Sequence, residues 1–501
     1  MVKSFLFLLS TTVLNFSWAA TEPSPQPAPL ATATGKDITL TQKLVAELAL
    51  SQGYRTKEVN LQYQTFRLNV AQTMSAYDWI VTAETGYQYE KPAGLLSSGT
   101  SQLDNKYQQY KTSIALNKPF TTGTLLGVQI NRLSQQADLD PVITNPPPTN
   151  QTTDSVGIIL EQSLWQNFFG TADRATVNSA NYTYTAQEIL RANDLEDVVL
   201  EAIRQYWTTF AAQENFKEAI VSRDRYKKLV DAVKRKTSLG YSNPGDLPQA
   251  QAEFETREQA VKTASTSYLN NLTTLITLLN LDPAANIKFE ATTLLPNVPK
   301  LPAKNIEDLR TIRSQKLKVA AANENLDASK SKSHPTLNLV GQAVSEGWGE
   351  GSQDSYSQVV SSNRPKYYIG LKFKYNFGSD VQNEDIINKK INKDLEETRL
   401  SLSTLNAQDL QNQAERRVQE TYALALSAEK QKTFREKAAQ ELNRSYSQGR
   451  TDISILITAM NNFVTAEVQF IQAVGNYHIA LNEWAATRDE LIPDAPKSEA
   501  Q

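Results

Sequence analysis

Cysteine is missing from all 501 positions. Its absence excludes disulfides, thiolate nucleophiles, zinc–thiolate and iron–sulfur centres, and an N-terminal cysteine acylated with lipid. Histidine is nearly as scarce, with only His334 and His478, too few for an imidazole-rich metal or acid–base site. Charge gives no case for nucleic acid, because 51 basic residues face 54 acidic ones. Past residue 20 no uninterrupted apolar run approaches the ~20 residues that a membrane-crossing helix needs. No nucleophile–base constellation stands in a recognisable setting, so no catalytic, cofactor-binding or metal-binding residue is assigned.

Other absences are local and more informative. No proline lies between Pro148 and Pro244 or between Pro365 and Pro493, and no glycine between Gly170 and Gly240 or between Gly378 and Gly449. Two stretches of about 70 residues thus lack both helix breakers. In the first, Leu195, Val199, Ala202, Tyr206, Phe210, Phe216, Ile220, Tyr226, Val230 and Val233 recur near a 3.5-residue period. In the second, Ile391, Leu395, Leu402, Leu405, Val418, Tyr422, Ala425, Leu442 and Tyr446 do so with more slips. This spacing predicts rods of roughly 100 Å, packed lengthwise as coiled coils. Each rod ends in a glycine turn and returns as a second helix: Gly240 leads into Leu247 to about Leu279, and Gly449 into Ile453 to about Trp484. Leu247 and Phe254 follow Gly240 at the offsets at which Leu456 and Phe463 follow Gly449, which points to a tandem duplication.

Ahead of each rod the period changes to two. Trp79, Val81, Ala83, Tyr87 and Tyr89 alternate with polar residues, as do Ile114 and Leu116, then Leu126, Val128 and Ile130, then Val156, Ile158 and Leu160. In the second half Leu337 and Leu339 alternate with Asn338, and Tyr367, Ile369, Leu371, Phe373, Tyr375 and Phe377 alternate with Tyr368, Gly370, Lys372, Lys374 and Asn376. The expected strands are about 79–90, 110–119, 124–134 and 156–165, then 335–345 and 366–377. A soluble sheet over a dry core and an outer-membrane barrel both produce such a pattern. Strand length, aromatic residues near strand ends and the lack of a free helix to cover the apolar face favour the barrel. Six strands are too few to enclose an open bore, so closure requires further copies; three give about eighteen strands. If the hairpin at Phe120 stays outside the bilayer, four strands per chain remain.

The N-terminus reads as an export signal: Lys3, the apolar run Ser4–Phe16, and small residues at Ser17 and Ala19. The expected organisation is a signal peptide 1–20, a Pro-rich linker 21–36, a first repeat 37–281 with strands 79–165 and a helical hairpin 171–280, and a Pro-rich connector 282–305. A second repeat follows over 306–490, with strands 335–377 and a hairpin 379–487, and then a tail 491–501.

This succession resembles the TolC family of outer-membrane efflux proteins from about residue 37 to 490. Gly157–Gly170 (GIILEQSLWQNFFG) and Gly370–Gly378 (GLKFKYNFG) are similar to the family's strand-to-helix elements. Gly240 to Ala252 and Tyr446-Ser447-Gln448-Gly449 are similar to its two periplasmic hairpins. The resemblance implies an α+β fold, a trimeric β-barrel continued by a long antiparallel coiled-coil α-barrel, built from two tandem repeats per chain. It implies an outer-membrane exit duct without enzyme activity, partnered by a periplasmic adaptor and an inner-membrane pump or ABC exporter. Adaptor docking carries over to Leu239, Gly240, Tyr241, Gln448, Gly449 and Arg450, although the valine that often precedes each turn glycine is Leu239 and Gln448 here. Closure of the periplasmic end carries over to Asp246 and Tyr446; Arg450 stands one residue before the position of the family's basic partner, and Asp452 takes the place of an acidic ring or caps the next helix. Lys372 and Lys374 are lumen candidates that favour anions. The rival readings, an exported coiled-coil adhesin or an adaptor without a pore, account for long helices but not for amphipathic strands before both of them.

Overall fold

The computed structural model describes residues 37–91, 94–95, 102–103, 105–139, 149–291, 293–299, 304–362, 364–378 and 380–492. The expected signal peptide, the linker and most of the tail lie outside the described residues, as do parts of the connector. The chain opens with strand β1 (Asp37–Leu40) and three helices, α1 (Gln42–Gln52), α2 (Tyr54–Gln64) and α3 (Phe66–Ser75). Strand β2 (Ile80–Glu90), the small hairpin β3 (Gly94–Leu95) and β4 (Gln102–Leu103), and strands β5 (Lys106–Pro119), β6 (Thr124–Asp138) and β7 (Asn150–Ser163) follow. Then come the rod α4 (Thr171–Ser238), its return helix α5 (Asp246–Leu279), strand β8 (Asn286–Phe289) and helix α6 (Arg310–Lys332). The last part holds β9 (Thr336–Gly349), α7 (Ser352–Val360), β10 (Pro365–Lys374), the second rod α8 (Asp380–Ser447) and α9 (Ile453–Ala486).

Each rod is 68 residues, about 100 Å at 1.5 Å per residue. Of the ten positions that recur along α4, Val199, Ala202, Tyr206, Phe210, Tyr226 and Val233 are buried and Leu195, Phe216, Ile220 and Val230 are half-buried. Around its middle, α1, β1, β8 and α5 gather a core of Leu40, Val45, Ile203, Trp207, Leu275 and Leu279. Strand β8 falls inside the stretch expected to be an irregular connector. It pairs parallel with β1, Asp37 against Asn286 through Leu40 against Phe289, and so ties the start of the chain to its midpoint. A buried ion pair, Arg310 Nη1 to Glu196 Oε2 at 2.8 Å, joins α6 to α4, and the Leu491 amide donates to the other oxygen of Glu196. Breaking one side of such a pair costs about 3–5 kcal/mol, because the remaining charge is stranded in a dry site.

The expected seam of α8 splits in two. Val418, Ala425 and Tyr446 are buried, whereas Ile391, Leu395, Leu402 and Leu405 are 43–66% exposed. Helix α9 has 34 residues and returns along only half of α8, while α6 packs against a different side of the other half through Gln315–Glu396 and Ser329–Asp385. On that half Ile391 to Leu405 form an apolar stripe that no described residue covers, and burial of such stripes is what stabilises long helices in water.

Six strands form one antiparallel sheet in the order β10-β9-β7-β6-β5-β2. The Phe120 hairpin, β5 and β6, lies within it, so each chain contributes six strands to the sheet. The first-half and second-half strands meet where β7 pairs with β9, from Thr152 against Gly349 to Ser163 against Asn338. Four strands extend several residues beyond their expected bounds, with β5 starting at Lys106, β6 running to Asp138, β7 starting at Asn150 and β9 running to Gly349. Strand β10 is shorter than expected and leaves Tyr375 and Phe377 outside it. Its ladder stops at Lys374 against Thr336, because β9 itself begins there, just after α6 and Pro335.

Burial among aromatic residues also explains His478, whose ring stacks on Trp207 with centroids 3.8 Å apart. Burial disfavours the imidazolium and lowers its pKa from 6.5 to about 4. The folded state therefore keeps the ring neutral in a range where the unfolded chain takes up a proton. Stability present above pH 6.5 is lost as pH falls from 6.5 to 4, by up to about 3 kcal/mol. In His478→Gln this part of the acid sensitivity is expected to vanish, as read from unfolding midpoints between pH 7.5 and 4; an unchanged pH profile would contradict the assignment.

Candidate functional site

The sheet has two chemically distinct faces. On one, cross-strand register places Val81 and Ala83 beside Leu116 and Ile114, then Val128 and Ile130, then Ile158 and Val156. The row continues through Ala343 and Leu339 to Tyr367, Ile369 and Leu371 on β10. Most of these side chains are solvent-exposed in the single chain, with Ile369 at 79%. An apolar stripe crossing all six strands is far larger than the scattered exposed residues of a soluble surface. The opposite face carries Thr82, Glu84, Lys111, Ser113, Gln129, Asn131, Glu161, Asn338 and Gln342. Lys372 and Lys374 stand exposed on this polar face, opposite Asn338 and Thr336, and Asn338 donates its amide to Glu161. The expectation that no helix covers the apolar face needs correction, since α7 packs over its far end. Its Ser-rich segment between two strands reads as loop in sequence, and only nine residues of it are helical.

The sheet is open. Its edges are β2 and β10, and six alternating strands leave those two running in opposite directions. The β2 edge carries Glu84 and Glu90, and the β10 edge Lys366, Lys372 and Lys374.

At the far ends of the rods the two turns are built alike. Gly240 has φ +79° and Gly449 φ +72°, left-handed values that other residues adopt at a cost. The Tyr241 amide donates to Lys236 O and the Gly240 amide to Thr237 O; Arg450 and Gly449 repeat this with Ser445 O and Tyr446 O. Leu239 and Tyr241 are 69% and 80% exposed, and Gln448, Gly449 and Arg450 are exposed beside the second turn.

The four closure candidates come together only in part. Asp246 is engaged within its own turn, where it accepts from Ser242 Oγ at 2.8 Å and from the Asn243 amide at 3.0 Å. Asp452 caps α9 by accepting from the Ser454 amide. Tyr446 is buried at the junction of the two hairpins, its hydroxyl without a partner among the described residues. Burial raises its pKa, helped by the nearby carboxylates of Asp246 and Asp452. Arg450 forms no side-chain bond to any of these within one chain.

In sequence the basic run Lys227-Lys228 to Lys234-Arg235-Lys236 reads as the solvated face of a long helix, which conceals a clasp at Lys236. Its Nζ donates to Tyr446 O at 2.6 Å and stands 3.9 Å from the ring centre. It thereby joins α4 to α8 near both turns. A second cross-link, Arg225 to Glu467, is bidentate at 2.9 and 3.1 Å and joins α4 to α9. Position four residues before Gly240 was the only sequence signal for Lys236; the partner lies 210 residues away.

No protein-family model matches the chain, and no curated protein does. Solved structures do. The chain is similar to the CusC channel (TM-score 0.67, 13% identity, covering 90% of this chain and 92% of that one). It is similar to the Campylobacter jejuni outer-membrane channel CmeC (0.65, 14%, 90% and 86%). It is also similar to the open state of the Neisseria gonorrhoeae outer-membrane channel MtrE (0.65, 15%, 90% and 89%). At these identities the likeness is one of fold, and at that level the resemblance drawn from the sequence is borne out. The chain has the mixed helix-and-strand fold of outer-membrane channels.

Removing the clasp is expected to loosen the two tips relative to one another. With spin labels at Tyr241→Cys and Arg450→Cys, Lys236→Ala should broaden the interlabel distance distribution while helix content stays constant. An unbroadened distribution would mean that Lys236 does not hold the tips together.

Proposed function

We propose that the chain is an outer-membrane exit duct, conducting solutes passively in an efflux or type I secretion assembly. The observation that carries this reading is the two-faced open sheet at one end of two ~100 Å rods. Its apolar face suits lipid and its polar face a water-filled bore. Among the described residues no helix is long and apolar enough to cross a membrane, so the sheet is the element fitted to span one. A spanning sheet must be closed, because an unpaired edge in hydrocarbon leaves backbone groups without hydrogen bonds.

Closure follows from the edges. Around a ring of copies, β10 of one chain pairs antiparallel with β2 of the next, bringing lysine-bearing and glutamate-bearing strands together. Three copies give about eighteen strands, within the range of porin-like barrels. The uncovered stripe on α8 supports the same ring, with a neighbouring copy covering Ile391 to Leu405. In this homotrimer the barrel lies in the outer membrane and the rods extend into the periplasm. An adaptor protein docks at Leu239–Tyr241 and Gln448–Arg450, where apolar and basic side chains stand exposed on rigid turns. An inner-membrane pump or ABC exporter supplies the energy. Asp246, Tyr446, Arg450 and Asp452 surround the narrow end, with Arg450 the group left free to reach a neighbouring hairpin.

The purified chain is expected to run as a trimer in detergent by light scattering and to give stepwise conductance in planar bilayers. Recovery as a single chain in the soluble periplasm, with no conductance, would sink the reading. If Lys372 and Lys374 line the bore, the doubly substituted Lys372→Glu/Lys374→Glu channel should shift its reversal potential toward cation preference in a salt gradient. An unchanged potential would remove both lysines from the conducting path.

A further inference from the structure

The two faces account for every strand of the sheet but not for α7. This helix lies on the apolar face at the end remote from the rods, and the strand beneath is shaped to admit it. A Cβ on Gly347 would fall 1.8 Å from the Ser355 carbonyl oxygen, and one on Gly349 2.8 Å from the Asp354 Cβ. The Ser355 hydroxyl donates to Asp154 at 2.6 Å, and Arg132 holds the same carboxylate through two bonds of 2.7 and 3.0 Å. Arg132 and Asp154 are the first charges above the apolar stripe on β6 and β7, and they neutralise one another. Between helix and strands runs a groove lined by Ile114, Ile130, Val156, Ile158, Val359 and Tyr367. Tyr356 and Val360, which flank the same groove, are 61% and 68% exposed.

We propose that α7 is an interfacial helix embedded in the outer leaflet, and that the groove beneath it holds a lipid acyl chain. This rests on the exit-duct reading, which turns the apolar stripe toward lipid. Continuity selects the occupant, since the floor of the groove is the upper part of that same stripe. Height agrees. On β9 the outward set runs from Leu337 to Gly347, about 34 Å along the strand at ~3.4 Å per residue. Tilted by ~40°, that rises about 26 Å, close to the ~25 Å apolar band of outer-membrane barrels. The helix therefore sits where acyl chains give way to headgroups. Tyr356 and Val360 extend the apolar surface at the rim of the groove, and the exposed Ser352 and Ser357 meet the polar layer.

Because the native chain has no cysteine, single labels can be placed without other changes. The full chain is reconstituted in phosphatidylethanolamine–phosphatidylglycerol nanodiscs with nitroxides at Val360→Cys, Ile369→Cys or Tyr241→Cys. Collision with dissolved oxygen and with a water-soluble nickel complex is then compared. The Val360 label should follow Ile369, with an oxygen-to-nickel ratio at least about threefold above that at Tyr241. Adding Gly347→Val should lift α7 and make the Val360 label aqueous while Ile369 stays in lipid. An aqueous Val360 beside a lipid-exposed Ile369 overturns the α7 proposal alone. Aqueous readings at both positions overturn the exit-duct reading, and this proposal with it. A lipid reading at Val360 unmoved by Gly347→Val also overturns it, because the seat on β9 would then not be what holds the helix.

Discussion

Backbone hydrogen bonding at the two edges of the sheet is the constraint on which the rest depends. Within one chain β10 and β2 each have one unpaired side. In water such an edge invites pairing, and in hydrocarbon it is intolerable. The even strand number lets identical copies satisfy the demand head to tail. The same logic extends into the helical part, where α8 carries an apolar stripe longer than its own return helix covers. Sheet edges and helix stripe are both unfinished in the single chain.

Polar side chains hold the helices together. Arg310–Glu196, Arg225–Glu467 and Lys236–Tyr446 each cross between elements distant in sequence. They are spaced along α4 from its middle to its tip, so the rod is fastened at several heights. Directional bonds of this kind fix the registry of helices, a task for which a uniform apolar seam is poorly suited. At the tip the glycine turns leave Leu239, Tyr241 and Arg450 exposed on a rigid scaffold.

Much of the fold was legible. Glycine and proline gaps marked both rods, and period-two alternation located six strands to within a few residues. Both patterns are local, set by where successive side chains point along one element. The turn glycines were legible for the same reason, since positive φ is a single-residue demand. The site was less so. Asp246 and Asp452 sat where expected, yet they serve their own turns, because a carboxylate two or three residues from free amides finds them first. Lys236 looked like any residue in a basic run.

By itself the sequence determined the rods, the strands, the two hairpin turns and the division of each strand into an oily and a wet side, since periodicity encodes each of them. Tertiary structure decided the junction of β7 with β9, the pairing of β1 with β8, the clasp from Lys236 to Tyr446 and the seating of α7 over Gly347. These contacts join residues from about ten to more than two hundred positions apart. No periodicity reports which distant surfaces meet, because that depends on shape and on the competition among all of them for burial.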